Sequence, residues 1–281
     1  MDPNKQYRIF AMLLTVILVL AAVCLLLGLT LGIVKTAYTD RETETESDTE
    51  TDSQTADMPT SITPQEVTLK ETADAGMAYI DEMIFFGEST TAHLRARGVL
   101  SGGTETQQVW SDSSGTRMLS SKITSETVIY PPTGEQLTVA QACEKAKPTY
   151  LVLSFGQNGL VNFASDKDTY IKNYKRLIDA VRNASPDTKI ILQTVYPVCA
   201  QGNYSADVAT LNQYIKTLNS WLPEIAAAYN NVRVADTASV LRDADGKLAS
   251  SFDNGDGQHL TVSAYEEILA YLRTHAWQEE E

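Results

Sequence analysis

The chain has 281 residues, with 36 acidic against 22 basic side chains, a formal net charge of −14, and 43% hydrophobic residues. That apolar content is enough for a packed core and excludes wholesale disorder, and the length accommodates one large domain or two small ones. The net charge, with no run of Lys and Arg, argues against a nucleic-acid partner, and three cysteines are too few for a disulfide-built scaffold.

Residues 1–8 form a short amino-terminal tail, and Ile9 to Val34 is an uncharged apolar run of 26 residues. As a helix it would be about 39 Å long at roughly 1.5 Å per residue, enough to span a bilayer with some tilt. A cleaved signal peptide has an apolar stretch of only about 7 to 15 residues ending in small residues at a cleavage site, so the run reads as a retained transmembrane anchor. Val23 before Cys24 is a poor lipoprotein cleavage residue. Lys5 and Arg8 on one side are matched by Lys35 and Arg41 on the other, so the positive-inside rule does not decide orientation. The short tail and the large segment after the anchor favour a cytoplasmic tail and a single-pass membrane protein with its domain outside the cytoplasm.

Residues 35–63 form a linker in which Thr alternates with Glu or Asp from Thr39 to Thr63, with no apolar periodicity. Such a segment cannot bury enough surface to offset its ordering entropy, so it is expected to be disordered. Either a spacer lifting the domain off the membrane or plain solvated filler fits it. From Thr39 to Thr63, eight acidic side chains against Arg41 carry half of the chain's net charge.

From residue 64 to 281, strand-like and helix-like segments alternate, the pattern of an α/β domain with a mostly parallel sheet. Fully buried strands are expected at 83–87 (MIFFG), 150–155 (YLVLSF), 189–195 (KIILQTV) and 231–235 (NVRVA), with a short one around Val109 and Trp110. Helices are expected at 138–145, 168–183, 206–228 and 263–275; the third carries Leu211, Ile215, Leu218, Leu222 and Ile225 at helical spacing. The Ser-, Thr- and Gly-rich stretch from 100 to 134 has no readable pattern. Cys143 and Cys199 fall at places that face different parts of the sheet, which argues against a disulfide.

Ligands of open α/β sheets bind beyond the carboxyl ends of the strands. There the sequence places Gly87-Glu88-Ser89-Thr90, then Gly156-Gln157-Asn158-Gly159, and late in the chain Asp256-Gly257-Gln258-His259. Singly these are weak signals, since serine is a favoured helix cap, Asn beside glycines is a turn residue, and an Asp/His pair can be a loop salt link. His93 and His275 read as ordinary helix-face histidines. Order, strand context and spacing together resemble the SGNH hydrolases, also called the GDSL esterase/lipase superfamily. The blocks of that superfamily are Gly-Asp-Ser, a lone glycine, Gly-x-Asn-Asp and Asp-x-x-His. The resemblance implies a three-layer, flavodoxin-like α/β fold and, residue by residue, Ser89 as nucleophile, His259 as general base and Asp256 as its orienting acid. It implies an oxyanion hole of the Ser89 and Gly115 N–H groups and the Asn158 amide, with Gly115 preferred to Gly102 or Gly103. Glu88 and Gly159 depart from the family's Asp at both places. No metal or other cofactor is expected. The implied activity is hydrolysis of acyl esters, above all O-acetyl esters, on carbohydrate or cell-envelope substrates. Transfer of the acyl group to an envelope glycan, or non-catalytic glycan binding by the same fold, are the alternatives.

Overall fold

The computed structural model describes residues 66–115 and 117–279. The tail, the anchor and the linker lie outside the described residues. Among the described residues no helix is long and apolar enough to cross a membrane.

The first helix, α1 (Gly76–Asp81), leads into β1 (Met83–Gly87) and α2 (Ser89–Ala96). Then come β2 (Val109–Trp110), β3 (Thr127–Tyr130), β4 (Glu135–Thr138), α3 (Val139–Ala146) and β5 (Tyr150–Ser154). The chain continues through α4 (Leu160–Ala164), α5 (Lys167–Ala184), β6 (Lys189–Gln193), α6 (Val208–Ala226), β7 (Val232–Ala235) and α7 (Val262–Thr274). Among the described residues a five-stranded sheet runs in the order β2-β1-β5-β6-β7, all parallel, and β3 and β4 form a separate antiparallel hairpin. Counted along the chain, the sheet order is the flavodoxin-like one, whose switch point lies between β1 and β5.

Strand side chains alternate between faces, and the core divides accordingly. Phe86, Leu151, Leu153, Ile190 and Leu192 join one cluster with Tyr174, Leu177, Leu211, Ile215 and Leu218 from α5 and α6. Phe85, Val152 and Ile191 join the other with Ile80, Leu94, Ile268, Leu269 and Leu272 from α1, α2 and α7. The result is three layers, and both faces of every central strand are apolar, as the continuous hydrophobic runs require.

The longer helices begin on side-chain caps. Thr138 makes a capping box with Gln141, and Asp166, Asp207 and Thr261 each accept a backbone N–H of the first turn of α5, α6 and α7. These caps shift the expected boundaries by one or two residues. The unreadable stretch from 100 to 134 holds β2, β3 and a short 3₁₀ turn at Gly103–Glu105. Cys143, buried in α3, and Cys199 are both unbonded thiols.

Candidate active site

The switch point brings the ends of β1 and β5 side by side, with Gly87 paired to Ser154. A Cβ on Gly87 would run into the Thr91 hydroxyl and the Ser154 carbonyl, so this position admits only glycine. That close approach lets the chain turn straight from strand into helix. Ser89 becomes the first residue of α2, where its backbone N–H has no intrahelical acceptor.

Glu88, fully buried, links the two strand ends. Its Oε1 accepts the Gly156 N–H and its Oε2 accepts the N–H groups of Gln157 and Asn158, each at 3.0 Å. Tyr170 adds to this support by donating its hydroxyl to the Phe155 carbonyl at 3.1 Å. Burial raises the Glu88 carboxyl to about 8, against the lowering effect of the Gly156, Asn158 and Gln157 amides. Between its ordinary value near 4.5 and about 8 the folded protein therefore holds a proton that the unfolded chain has lost. Stability falls as pH rises through that window and levels off above it. The thermal midpoint should drop between about pH 5 and 8 by a component that Glu88→Gln lacks; parallel melting curves for parent and variant would contradict this.

The third segment is a tight loop. Asp256 Oδ1 accepts the N–H groups of Gln258 and His259 at 2.9 and 2.8 Å, and its Oδ2 lies 2.6 Å from His259 Nδ1. Burial pushes the Asp256 carboxyl up, but the hydrogen bonds from His259 and Gln258 outweigh it and hold the group at about 2. A carboxylate on Nδ1 fixes the tautomer with Nδ1 protonated, which leaves Nε2 as an acceptor. His259 Nε2 lies 3.0 Å from Ser89 Oγ, across 170 residues of sequence. The loop runs into α7, whose Tyr265 hydroxyl donates to the Thr90 carbonyl at 2.8 Å, fastening that helix to the start of α2.

Asn158 follows β5, and its Nδ2 donates one hydrogen to the Arg117 carbonyl at 2.9 Å, which leaves its second N–H for another acceptor. Gly115 differs from expectation. Its backbone has φ +63°, and its N–H donates to Asp112 Oδ1 at 2.8 Å. One N–H carries one hydrogen, so in this structure the Gly115 amide is committed to the turn, and the free donors belong to Ser89 and Asn158. The second departure from the family pattern, Gly159, has φ +85° at the start of α4, a left-handed conformation that glycine adopts without strain.

Two contributors were missed in the sequence. His93 sits one helical turn after Ser89 and places its ring 4.8 Å from that of His259; the i, i+4 spacing was the available signal. Arg117 lies in the stretch that showed no pattern. Among the described residues no group of three or more His, Cys, Asp or Glu side chains is arranged to hold a metal ion.

The sequence model of the GDSL-like lipase/acylhydrolase family matches residues 85–267. No curated protein matches the chain. Among solved structures, a carbohydrate esterase family 3 protein from Talaromyces cellulolyticus is 14% identical, covering 68% of this chain and 93% of its own, with a TM-score of 0.45. A GDSL-like lipase from Bacteroides thetaiotaomicron is 17% identical, covering 69% and 87%, also with a TM-score of 0.45. A carbohydrate esterase family 3 protein from Clostridium thermocellum is 12% identical, covering 68% and 93%, with a TM-score of 0.44. With its family model spanning well over half of the sequence, the chain belongs to the GDSL-like lipase/acylhydrolase family and is a serine ester hydrolase.

Proposed function

We propose that the protein is a membrane-anchored, extracytoplasmic esterase that removes small acyl groups, O-acetyl above all, from carbohydrate or cell-envelope substrates through Ser89, His259 and Asp256. The observation that carries the reading is the run of short contacts from Ser89 Oγ to His259 Nε2 (3.0 Å) and from His259 Nδ1 to Asp256 (2.6 Å). A serine hydroxyl is a weak nucleophile at neutral pH and needs a neutral imidazole within hydrogen-bond reach.

As Ser89 Oγ attacks the ester carbonyl, its proton passes to His259 Nε2. Asp256 stabilises the imidazolium without taking the proton. The carbonyl oxygen gains negative charge, which the Ser89 N–H and the second Asn158 N–H stabilise in a site that is already organised. Collapse of the tetrahedral intermediate expels the alcohol, which takes its proton from His259 and leaves an acyl-Ser89. Water, deprotonated by the same imidazole, then releases the carboxylic acid.

Two open depressions of about 600 and 290 Å³ beside the β2–β3 loop share Asp112 and Ser114 as walls, and the smaller is also lined by His93, whose ring lies 4.8 Å from that of His259. Ser111, Ser113, Ser120, Ser125 and Thr127 add hydroxyl or backbone groups to their lining. Hydroxyls and charges suit a polyhydroxylated alcohol better than a long acyl chain, which supports the carbohydrate reading. The apolar run from Ile9 to Val34 supports the anchor, and the linker after it supports a domain held away from the bilayer.

Two measurements test the reading. A fluorophosphonate probe should label Ser89 in the folded protein, and p-nitrophenyl acetate should be hydrolysed much faster than p-nitrophenyl palmitate. Folded protein that neither labels nor hydrolyses the acetate would count against an esterase. Preference for the palmitate would count against the short-acyl assignment.

A further inference from the structure

The loop between β2 and β3 reaches the site through one buried cation. Arg117, whose side chain is 6% exposed, holds Asp112 Oδ2 at 3.0 Å near the start of the loop and Glu126 Oε2 at 2.6 Å near its end. It also donates to the carbonyl of Thr127, the first residue of β3. A planar guanidinium with donors on both edges can make three such contacts at once, which a lysine ammonium on a flexible stem cannot reproduce in one geometry. The Asp112 carboxylate in turn accepts the N–H groups of Ser114 and Gly115 at 2.9 and 2.8 Å, so the guanidinium orders the turn before it as well. The main chain of the same residue faces the catalytic strands, where the Arg117 carbonyl accepts Asn158 Nδ2.

We propose that Arg117 is a positioning residue for the oxyanion amide: its guanidinium clamps both ends of the 112–127 loop, and its carbonyl thereby fixes which way the Asn158 N–H₂ points. An amide aimed by a rigid acceptor keeps its second N–H directed where charge develops. An amide facing a loose loop rotates, and the donor is lost for part of the time. Glu88 fixes the backbone of Asn158, and Arg117 fixes its side chain, so the two supports are separate. This inference rests on the esterase reading of the site.

The test is a double-mutant cycle on p-nitrophenyl acetate with Arg117→Gln and Asn158→Ala. Arg117→Gln should lower kcat about tenfold with KM nearly unchanged, and should have almost no further effect when Asn158 is already alanine, because its action runs through that amide. Arg117→Lys, which keeps the charge and loses the fork, should restore only part of the rate. An equal fold-loss from Arg117→Gln in the parent and in the Asn158→Ala background would overturn the proposal, since a merely structural role is additive. If Arg117→Gln does not fold by circular dichroism, Glu126→Gln loosens the same clamp from its more exposed side and goes through the same cycle. For that variant, either no effect in the parent or an equal effect in both backgrounds overturns the proposal. Failure of the esterase reading looks different: Asn158→Ala itself, or loss of the Ser89 hydroxyl, would leave the rate unchanged.

Discussion

Ser89→Ala should reduce kcat for p-nitrophenyl acetate by on the order of 10⁶-fold, the scale seen when a triad nucleophile is removed, while the protein stays folded. The side chain lost is small and half-buried at the first position of α2, and Glu88 continues to hold the adjoining loop. The same variant should fail to label with a fluorophosphonate. Because members of a catalytic triad act as a unit, adding His259→Ala should cost little more than Ser89→Ala alone. Parent-like hydrolysis by Ser89→Ala would mean that the ester is cleaved elsewhere on the protein, and a protein unfolded by circular dichroism would show that the hydroxyl serves the fold.

Asn158→Ala should lower kcat by about 10² to 10³-fold, corresponding to roughly 2.7 to 4 kcal/mol for one oxyanion donor, with KM changed far less. The effect is placed at the upper end because the Gly115 amide is committed to Asp112, so the oxyanion relies on the Ser89 N–H and the Asn158 amide. Fluorophosphonate labelling at Ser89 should slow without disappearing, since the nucleophile and its base are untouched. A tenfold or smaller change in kcat would indicate that another donor reaches the oxyanion. Asn158→Asp is a sharper variant: the carboxylate keeps the size, removes both N–H donors and sets a negative charge where one is forming.

Much of this architecture could be read from the sequence because it depends on local patterns. The buried parallel strands are short apolar runs, and the longest helices repeat apolar residues every three to four positions, as Leu211, Ile215 and Leu218 do in α6. Ser89, Asn158, Asp256 and His259 stood out as candidates because strand ends mark where a parallel sheet binds ligands, and the resemblance to the GDSL blocks supplied the roles expected of them. The hairpin of β3 and β4 was not legible. Its strands have four residues each and β4 has no buried residue, so although residues 131–134 join the two strands directly, the apolar alternation that marks a strand is weak. The setting of the Gly115 N–H was not legible for a related reason: whether an N–H faces a substrate or a neighbouring carboxylate depends on the turn around it, and in this structure Asp112 three residues earlier accepts this one. Arg117 was invisible because a buried guanidinium is defined by partners at both ends of an irregular loop. Glu88 could be seen as a departure from the family residue, but its three amide donors come from a segment 68 to 70 residues away.

The 170 residues between Ser89 and His259 carry a consequence for how the protein is made. Ser89, its turn and the first strand lie early in the chain, whereas His259 lies on the loop before α7, which the Tyr265 hydroxyl fastens to Thr90. Without α7 in place, Ser89 would have no imidazole within reach and would be an ordinary, unreactive serine. Hydrolytic activity thus requires α7 to be seated, and turnover of a chromogenic ester reports on that contact. In a refolding experiment this turnover should rise no earlier than the far-ultraviolet signal of the sheet and helices, and activity ahead of that signal would contradict this dependence.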